Sequence, residues 1–244
     1  MEGKEKETLC VGWCDPGTVE STFMGTMMAQ FLSAAELDLG GIGFIQNVGN
    51  QIARQRADLI REFEETGLDW LLWVDSDIML NQHAVKTLWE TRDAINRPIV
   101  AGIYFITYEN THSLYRPFPC VFNEDGKQGY KPVHPLPENE IISIDSAGLG
   151  FTLMHKSVAH KLRENFGNTT FQIIVGDRHV SEDMMFFQRV KASGIPIHAH
   201  TGAFVTHYKR FPLDIEYYNM WWQVVGPVRE QQEKELAEKN KQEV

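Results

Sequence analysis

Trp70-Leu71-Leu72-Trp73-Val74-Asp75-Ser76-Asp77 is the stretch whose reading decides the fold. The unbroken apolar run from Trp70 to Val74 suits a central β-strand covered on both faces. Side chains alternate along a strand, so Asp75 and Asp77 leave it on one side and Ser76 on the other. In open α/β sheets the ligand crevice lies beyond the carboxyl ends of the strands. Two carboxylates placed there suit a hard divalent cation, and the cation in turn suits a diphosphate. The same triplet also serves as a polar loop capping a following helix, here one starting near Asn81. The rest of the chain has to separate the two readings.

Upstream, Thr8 to Trp13 reads as a first strand, ended by the turn Asp15-Pro16-Gly17. A helix is expected over about 18–36, with Met24, Met27, Met28, Phe31, Leu32 and Ala35 as its core stripe. Gly41 to Gln46 reads as a second strand. Asn50 can cap a helix to about Glu65 with Ile52, Ala53, Leu59, Ile60 and Phe63 apolar. That helix carries Arg54, Arg56 and Arg61, which read as a solvated basic face; Arg54 and Arg56, however, sit near the strand ends where an anion would lie. Downstream, a helix over about 82–95 precedes a strand over 98–105. This alternation implies an α/β fold with a mainly parallel central sheet flanked by helices. No glycine fingerprint of the G-x-G-x-x-G or Walker type is present, so a nucleotide here is not held by a glycine-rich phosphate loop.

The texture changes over 107–139, where Pro117, Pro119, Pro132, Pro135 and Pro137 surround the turn Glu124-Asp125-Gly126. This reads as an irregular excursion or β-hairpin carrying binding surface. A strand over 141–145 follows, then Ser146-Ala147-Gly148-Leu149-Gly150 before the strand over 151–154. Gly148 and Gly150 suggest close approach of backbone to a ligand or to another segment. A helix over 156–166 is expected, and another capped by Ser181 runs to about Ser193. Asp183 shares a helical stripe with Phe187 and Val190 and should point inward; Glu182 aligns with Phe186 and Arg189, nearer the flank. An inward acid at a helix start is either a structural cap or a working carboxylate. A last strand over 195–200 leads to His207.

Length and composition bound the remainder. The 244 residues fit one large domain or two small ones, and 43% hydrophobic residues can fill a sizeable core. We expect one domain over 1–228, with a nucleotide-binding half over about 8–105 and a second half over about 106–228. Residues 229–244 read as a charged, almost core-free tail. The aromatic stretch from Phe211 to Trp222 reads as a helix packed on the core or an oligomer contact. A net charge of −10 argues against broad, backbone-driven nucleic-acid binding. Cys10, Cys14 and Cys120 are too few and scattered for a disulfide framework, which points to reduced thiols and a cytoplasmic protein. No apolar run approaches a membrane span, and the N-terminus lacks a signal-peptide core.

Four features stand in a familiar order: the helix with Ile52-Ala53-Arg54-Gln55-Arg56, the strand ending Val74-Asp75-Ser76-Asp77, the Ser146 to Phe151 turn, and Ser181-Glu182-Asp183 with a later His207. This order resembles the GT-A-fold glycosyltransferases, in particular the family 2-like enzymes common in bacteria and phages, over roughly residues 8–210. The resemblance implies metal-dependent transfer of a sugar from a nucleoside-diphosphate sugar, with a UDP-sugar favoured. Asp75 and Asp77 match the Asp-x-Asp motif, Asp77 binding Mn²⁺ (or Mg²⁺) directly and Asp75 contacting ribose or metal. His207 matches a histidine that completes the metal shell. Arg56 matches an arginine facing the diphosphate, and Asp15 sits where base and ribose usually lie. Gly148 and Gly150 match the turn beneath the donor sugar. Asp183 matches the base of inverting members; in the rival assignment Glu182 or Asp183 only orients the acceptor or caps the helix, and the reaction retains configuration. One departure is Ala57, where relatives often carry Asn. The acceptor stays open: a protein, a glycan, a modified nucleobase in DNA or a small metabolite. Two other classes compete, a GT-A-like nucleotide-sugar binding protein without turnover and a metal-dependent nucleotidyltransferase.

Overall fold

A computed structural model describes residues 6–32, 37–81, 83–107, 117–127, 129–175, 180–209, 215–228 and 231–232. In chain order the elements are β1 (Thr8–Asp15), α1 (Ser21–Leu32), β2 (Gly41–Val48), α2 (Ile52–Thr66), β3 (Trp70–Val74), β4 (Ile78–Met79), α3 (Ala84–Thr91) and β5 (Ile99–Ile103). There follow β6 (Phe105–Thr107), β7 (Pro117–Pro119), β8 (Val121–Glu124), β9 (Tyr130–Pro132), β10 (Ile141–Ser143), β11 (Ser146–Ala147), β12 (Phe151–His155) and α4 (Lys156–Phe166). The last are α5 (Glu182–Ala192), β13 (His198–Phe204), β14 (Thr206–His207) and α6 (Ile215–Met220).

Seven strands form the central sheet in the order β10-β13-β5-β12-β3-β1-β2. β1 runs parallel to β2 and β3, and β5 parallel to β13. β12 is antiparallel to both β3 and β5, which therefore share a direction, while β10 opposes β13. Five of the seven strands thus point the same way, and the sheet is mixed but mainly parallel. The segment after residue 117 builds a small antiparallel sheet, β11-β8-β9, rather than a single hairpin.

β3 is buried along its whole length, as its composition demands. Its alternation divides the core. Leu71 and Trp73 join Leu59, Ile60 and Phe63 of α2, Val158 and Leu162 of α4, and Phe186 and Phe187 of α5. Trp70, Leu72 and Val74 join Phe23 and Met27 of α1 and Val85, Leu88 and Trp89 of α3 on the opposite face. Each fully buried leucine of this strand contributes roughly 1.5–3 kcal/mol of transfer free energy. The strand therefore anchors both helical layers.

Several local expectations need correction. Phe23 and Met27 carry α1 onto the sheet, with Phe31 packed beside them against Phe44 of β2; Met28 is 56% exposed and Met24 also faces solvent. The i,i+4,i+8 row Phe23, Met27 and Phe31 makes that contact, and Met24 and Met28 fall outside it. Ala35 lies outside the described residues. α2 starts at Ile52 after Gln51, which makes no side-chain cap, so Asn50 does not cap it. The last long strand begins at His198, two residues beyond Pro196, because proline cannot donate to a ladder. α4 and α5 form where they were expected, the latter with Ser181 accepting from the Met184 amide.

The described part of 1–106 and 118–208 is one compact unit holding all of the seven-stranded sheet. A second unit, from the described residues of 107–117 and 209–244, includes α6 and the π turn Trp221–Val225, with Trp221 and Trp222 rings 5.0 Å apart. Among the described residues, no helix is long and apolar enough to cross a membrane.

Candidate functional site

β3 ends at Val74, and the chain then turns sharply: the Ile78 amide donates to the Asp75 carbonyl at 2.9 Å, and the Asp75 amide donates to the Gly150 carbonyl at 3.0 Å. The turn sends the two acids of the triplet to different partners. Asp75 turns toward α2 and Asp77 toward the end of the last strand. Both stand beyond the carboxyl end of a central strand, where the ordering of α/β sheets places ligand crevices.

Arg56 is the hub on the first side. It is only 3% exposed, on the inward face of α2. Its Nη2 donates to Asp75 Oδ1 at 3.0 Å, its Nη1 to Glu182 Oε1 at 3.0 Å, and Nη1 also pairs with Asp183. Burial opposes the guanidinium charge, but Asp75 and Glu182 outweigh it and hold its pKa above the ordinary value. Arg54 and Arg61 of the same helix point outward and pair locally with Asp58. Of the three arginines, Arg56 alone reaches the site.

Asp183 faces the interior, as its stripe implies, and its Oδ2 accepts weakly from the Leu149 amide at 3.4 Å. Glu182 does not lie on the flank: its side chain is less exposed than that of Asp183, and both meet Arg56. The first turn of a helix is open at its end. A partner arriving along the axis can meet neighbouring residues that helical spacing would place on separate faces.

Asp77 and His207 meet on the other side. The short ladder β4–β14 pairs His207 with Ile78, and the Tyr208 amide donates to the Asp77 carbonyl at 2.8 Å. His207 Nε2 then stands 3.2 Å from Asp77 Oδ2, while Nδ1 lies 2.9 Å from the Phe105 carbonyl oxygen. A carbonyl only accepts, so Nδ1 carries hydrogen and Nε2 is the nitrogen that faces the carboxylate. Nε2 and Asp77 Oδ2 can share a proton or, without it, flank a cation. A histidine oriented through Nδ1–H to a carbonyl is also the usual arrangement of a metal-ligating imidazole. Asp77 and His207 therefore fit a divalent cation. Asp75 joins Arg56 instead, and among the described residues no group of three or more His, Cys, Asp or Glu stands ready to enclose a metal.

Tyr104 was not singled out in the sequence, and it joins the two sides. Its ring packs edge-on against His207 with centroids 5.3 Å apart, and its hydroxyl accepts from the Gly150 amide at 3.3 Å. Burial pushes its phenol well above the ordinary range, with Cys120 and Asp75 adding to the effect. Gly148 and Gly150 are required by this crowding. A Cβ on Gly150 would stand 2.8 Å from Asp75 Oδ2 and 3.0 Å from the Tyr104 hydroxyl, and one on Gly148 would overlap that hydroxyl. The signal for Tyr104 was available: it directly follows a buried strand, at the same end of the sheet as Asp75.

Asp15 is 3% exposed, and its carboxylate accepts from Trp13 Nε1, Gln46 Nε2 and the Gly17 amide at 3.1, 2.7 and 2.7 Å. Its carbonyl takes Gln55 Nε2 at 2.9 Å, which ties the start of α2 to β1. In this structure it joins the ends of β1, β2 and α2 rather than facing an open crevice.

No family model matches the chain, and no curated protein sequence does. Solved structures do. A197 from STIV superposes with a TM-score of 0.51 at 18% identity, over 84% of this chain and 86% of that one. GalNAc-T7, solved with UDP, GalNAc and Mn²⁺, superposes with a TM-score of 0.52 at 11% identity, over 86% of this chain and 45% of that one. This chain thus spans under half the length of GalNAc-T7. The likenesses establish the fold: a large mixed, mainly parallel sheet flanked by helices, matching GT-A-like structures.

Proposed function

We propose that this protein is a metal-dependent glycosyltransferase that moves a sugar from a nucleoside-diphosphate sugar, a UDP-sugar favoured, to an acceptor hydroxyl. The observation that carries the reading is the convergence, at the carboxyl end of β3, of the Asp77–His207 pair and the Asp75–Arg56–Glu182–Asp183 cluster. The GT-A-like fold and a neighbour solved with UDP and Mn²⁺ support it.

Asp77 and His207 would hold the cation, with phosphate oxygens and water supplying its other ligands, as is common where substrate phosphates share the site. A bound cation supplies stabilisation of negative charge on the departing diphosphate. The acceptor hydroxyl oxygen bonds to the anomeric carbon, the bond from that carbon to the diphosphate oxygen breaks, and its electron pair leaves with the diphosphate. The hydroxyl proton passes to a carboxylate, for which Asp183 is the candidate. Asp183 stands in the first turn of α5, whose dipole favours the ionised form, and Leu149 steadies its second oxygen. A base on the acceptor side, opposite the leaving diphosphate, corresponds to inversion.

The test is a screen of UDP- and GDP-sugars for Mn²⁺-dependent release of the nucleoside diphosphate. Chelation should abolish release and Mn²⁺ restore it. Asp77→Asn and His207→Ala should each weaken Mn²⁺-dependent UDP binding by about tenfold or more, the equivalent of roughly 1.4 kcal/mol for a lost ligand. Full turnover by both variants in chelator removes the metal from the mechanism. Tight UDP binding with no release from any donor identifies a binding protein instead.

A further inference from the structure

We infer that Arg56 is a positioning residue that fixes the carboxylates of the site against one another, and that it is not a ligand of the donor diphosphate. The inference rests on the glycosyltransferase reading. The guanidinium is hard to reach: the Arg56 side chain is 4% exposed, whereas those of Asp75, Asp183 and Glu182 stand further out at 34%, 22% and 13%. The carboxylates are nearer solvent than the guanidinium they bind.

Both of its terminal nitrogens are engaged. Nη2 serves Asp75 at the end of β3, and Nη1 serves Glu182 and Asp183 at the start of α5. One positive charge faces three negative ones, so the cluster carries a surplus of two negative charges toward the crevice. A diphosphate seeking Arg56 would have to displace carboxylates from it and would meet that surplus first. Anion attraction is therefore left to a cation at Asp77 and His207.

The hub is itself immobilised. The neighbouring Gln55 is buried, and its Nε2 donates to the Asp15 and Asn47 carbonyls, both at 2.9 Å. α2 thereby presents Arg56 from a fixed origin on β1 and β2. A planar guanidinium with donors in a rigid fork can hold carboxylates of two elements in one geometry; a lysine ammonium on a flexible stem cannot. What Arg56 determines is the placement of Asp183 relative to Asp75, and catalytic groups displaced by about 1 Å lose on the order of 10² in rate.

Arg56→Lys is the decisive variant, because it keeps the charge and removes the fork. Three quantities are read: kcat and donor KM, UDP affinity in Mn²⁺ by calorimetry, and deuterium uptake of the ligand-free protein. We expect kcat lower by about 10²-fold, with donor KM and UDP affinity within about threefold of wild type, and faster exchange at the start of α5. Arg56→Met, if it folds, should show the same exchange change more strongly; if it does not, Arg56→Lys still decides. A UDP affinity lowered tenfold or more, with kcat at saturating donor preserved, makes Arg56 a diphosphate ligand and overturns the inference. Unchanged exchange at the start of α5 in Arg56→Lys also overturns it. If wild-type protein turns over no donor, the functional reading falls, while the tether still stands or falls on hydrogen exchange.

Discussion

Replacing Gly148 by alanine adds one methyl group, and the site's geometry says where it goes. The new Cβ would overlap the Tyr104 hydroxyl and lie 2.5 Å from Cys120 Sγ. Tyr104 and Cys120 are both buried, so neither can swing into solvent. Overpacking of a tight core costs about 1–3 kcal/mol. Displacing the phenol also endangers its bond from the Gly150 amide, a further 0.5–1.5 kcal/mol or so. The sum is about 1.5–4.5 kcal/mol, and for a chain of this size each kcal/mol lowers Tm by roughly 2–4 °C. Thermal unfolding followed by circular dichroism should therefore show Tm lower by about 3–18 °C. Two controls sharpen the test. Gly25→Ala, where a Cβ meets nothing within 4 Å on an exposed turn of α1, should raise stability by up to about 1 kcal/mol. Tyr104→Phe removes the atom that the new methyl meets first, so Gly148→Ala should cost less in that background. A Gly148→Ala protein as stable as Gly25→Ala would refute the packing of Tyr104 against the glycine turn, and with it the link between the two sides of the site.

Asp183→Asn keeps the shape of the proposed base and removes its basicity; kcat should fall by about 10²–10⁴ with UDP binding nearly unchanged, and a rate within a few-fold of wild type defeats the assignment. The stereochemistry is read separately from the anomeric proton coupling of the product, where a retained configuration would defeat inversion. Burial holds the thiols of Cys10 and Cys14 up to about 12 and that of Cys120 up to about 11, from an ordinary 9.0, so a thiol reagent at pH 8 should label the unfolded chain and spare the native one. The sign for stability follows from these same raised values: the folded chain keeps protons that the unfolded chain releases, so this contribution is complete below pH 9.0 and is lost progressively between there and about 12, which urea midpoints across that range can measure.

Much of the scaffold was legible along the chain because its causes are local. A continuous apolar run marks a strand covered on both faces, and β3 is one. Ser181 ahead of a helical stripe marks a helix start, and its hydroxyl does accept from the Met184 amide. Acids directly after a buried strand mark the carboxyl edge of a sheet, which is where Asp75 and Asp77 stand. Each inference uses residues within one or two turns or one pleat of each other, where backbone geometry alone sets which side chains share a face.

The site's wiring was decided only by the tertiary structure. Arg56 and Glu182 are 126 positions apart, and Asp77 and His207 are 130 apart. Helical spacing offered Arg54 and Arg56 equally and placed Glu182 on the flank. Packing of α2 against β1 and β2 turned Arg56 alone inward, and the open end of α5 let Glu182 join Asp183 on it. The position of Tyr104 directly after a buried strand marks the sheet end it stands at; its partner does not follow from that, and comes from β5 lying next to β12, which brings its hydroxyl to Gly150. Met28 fits the helical stripe and still faces solvent, because the sheet beneath α1 is met by the row Phe23, Met27 and Phe31. A local period determines which residues can share a face; which face is buried, and what it meets there, depends on strand order and on contacts between segments far apart in the chain.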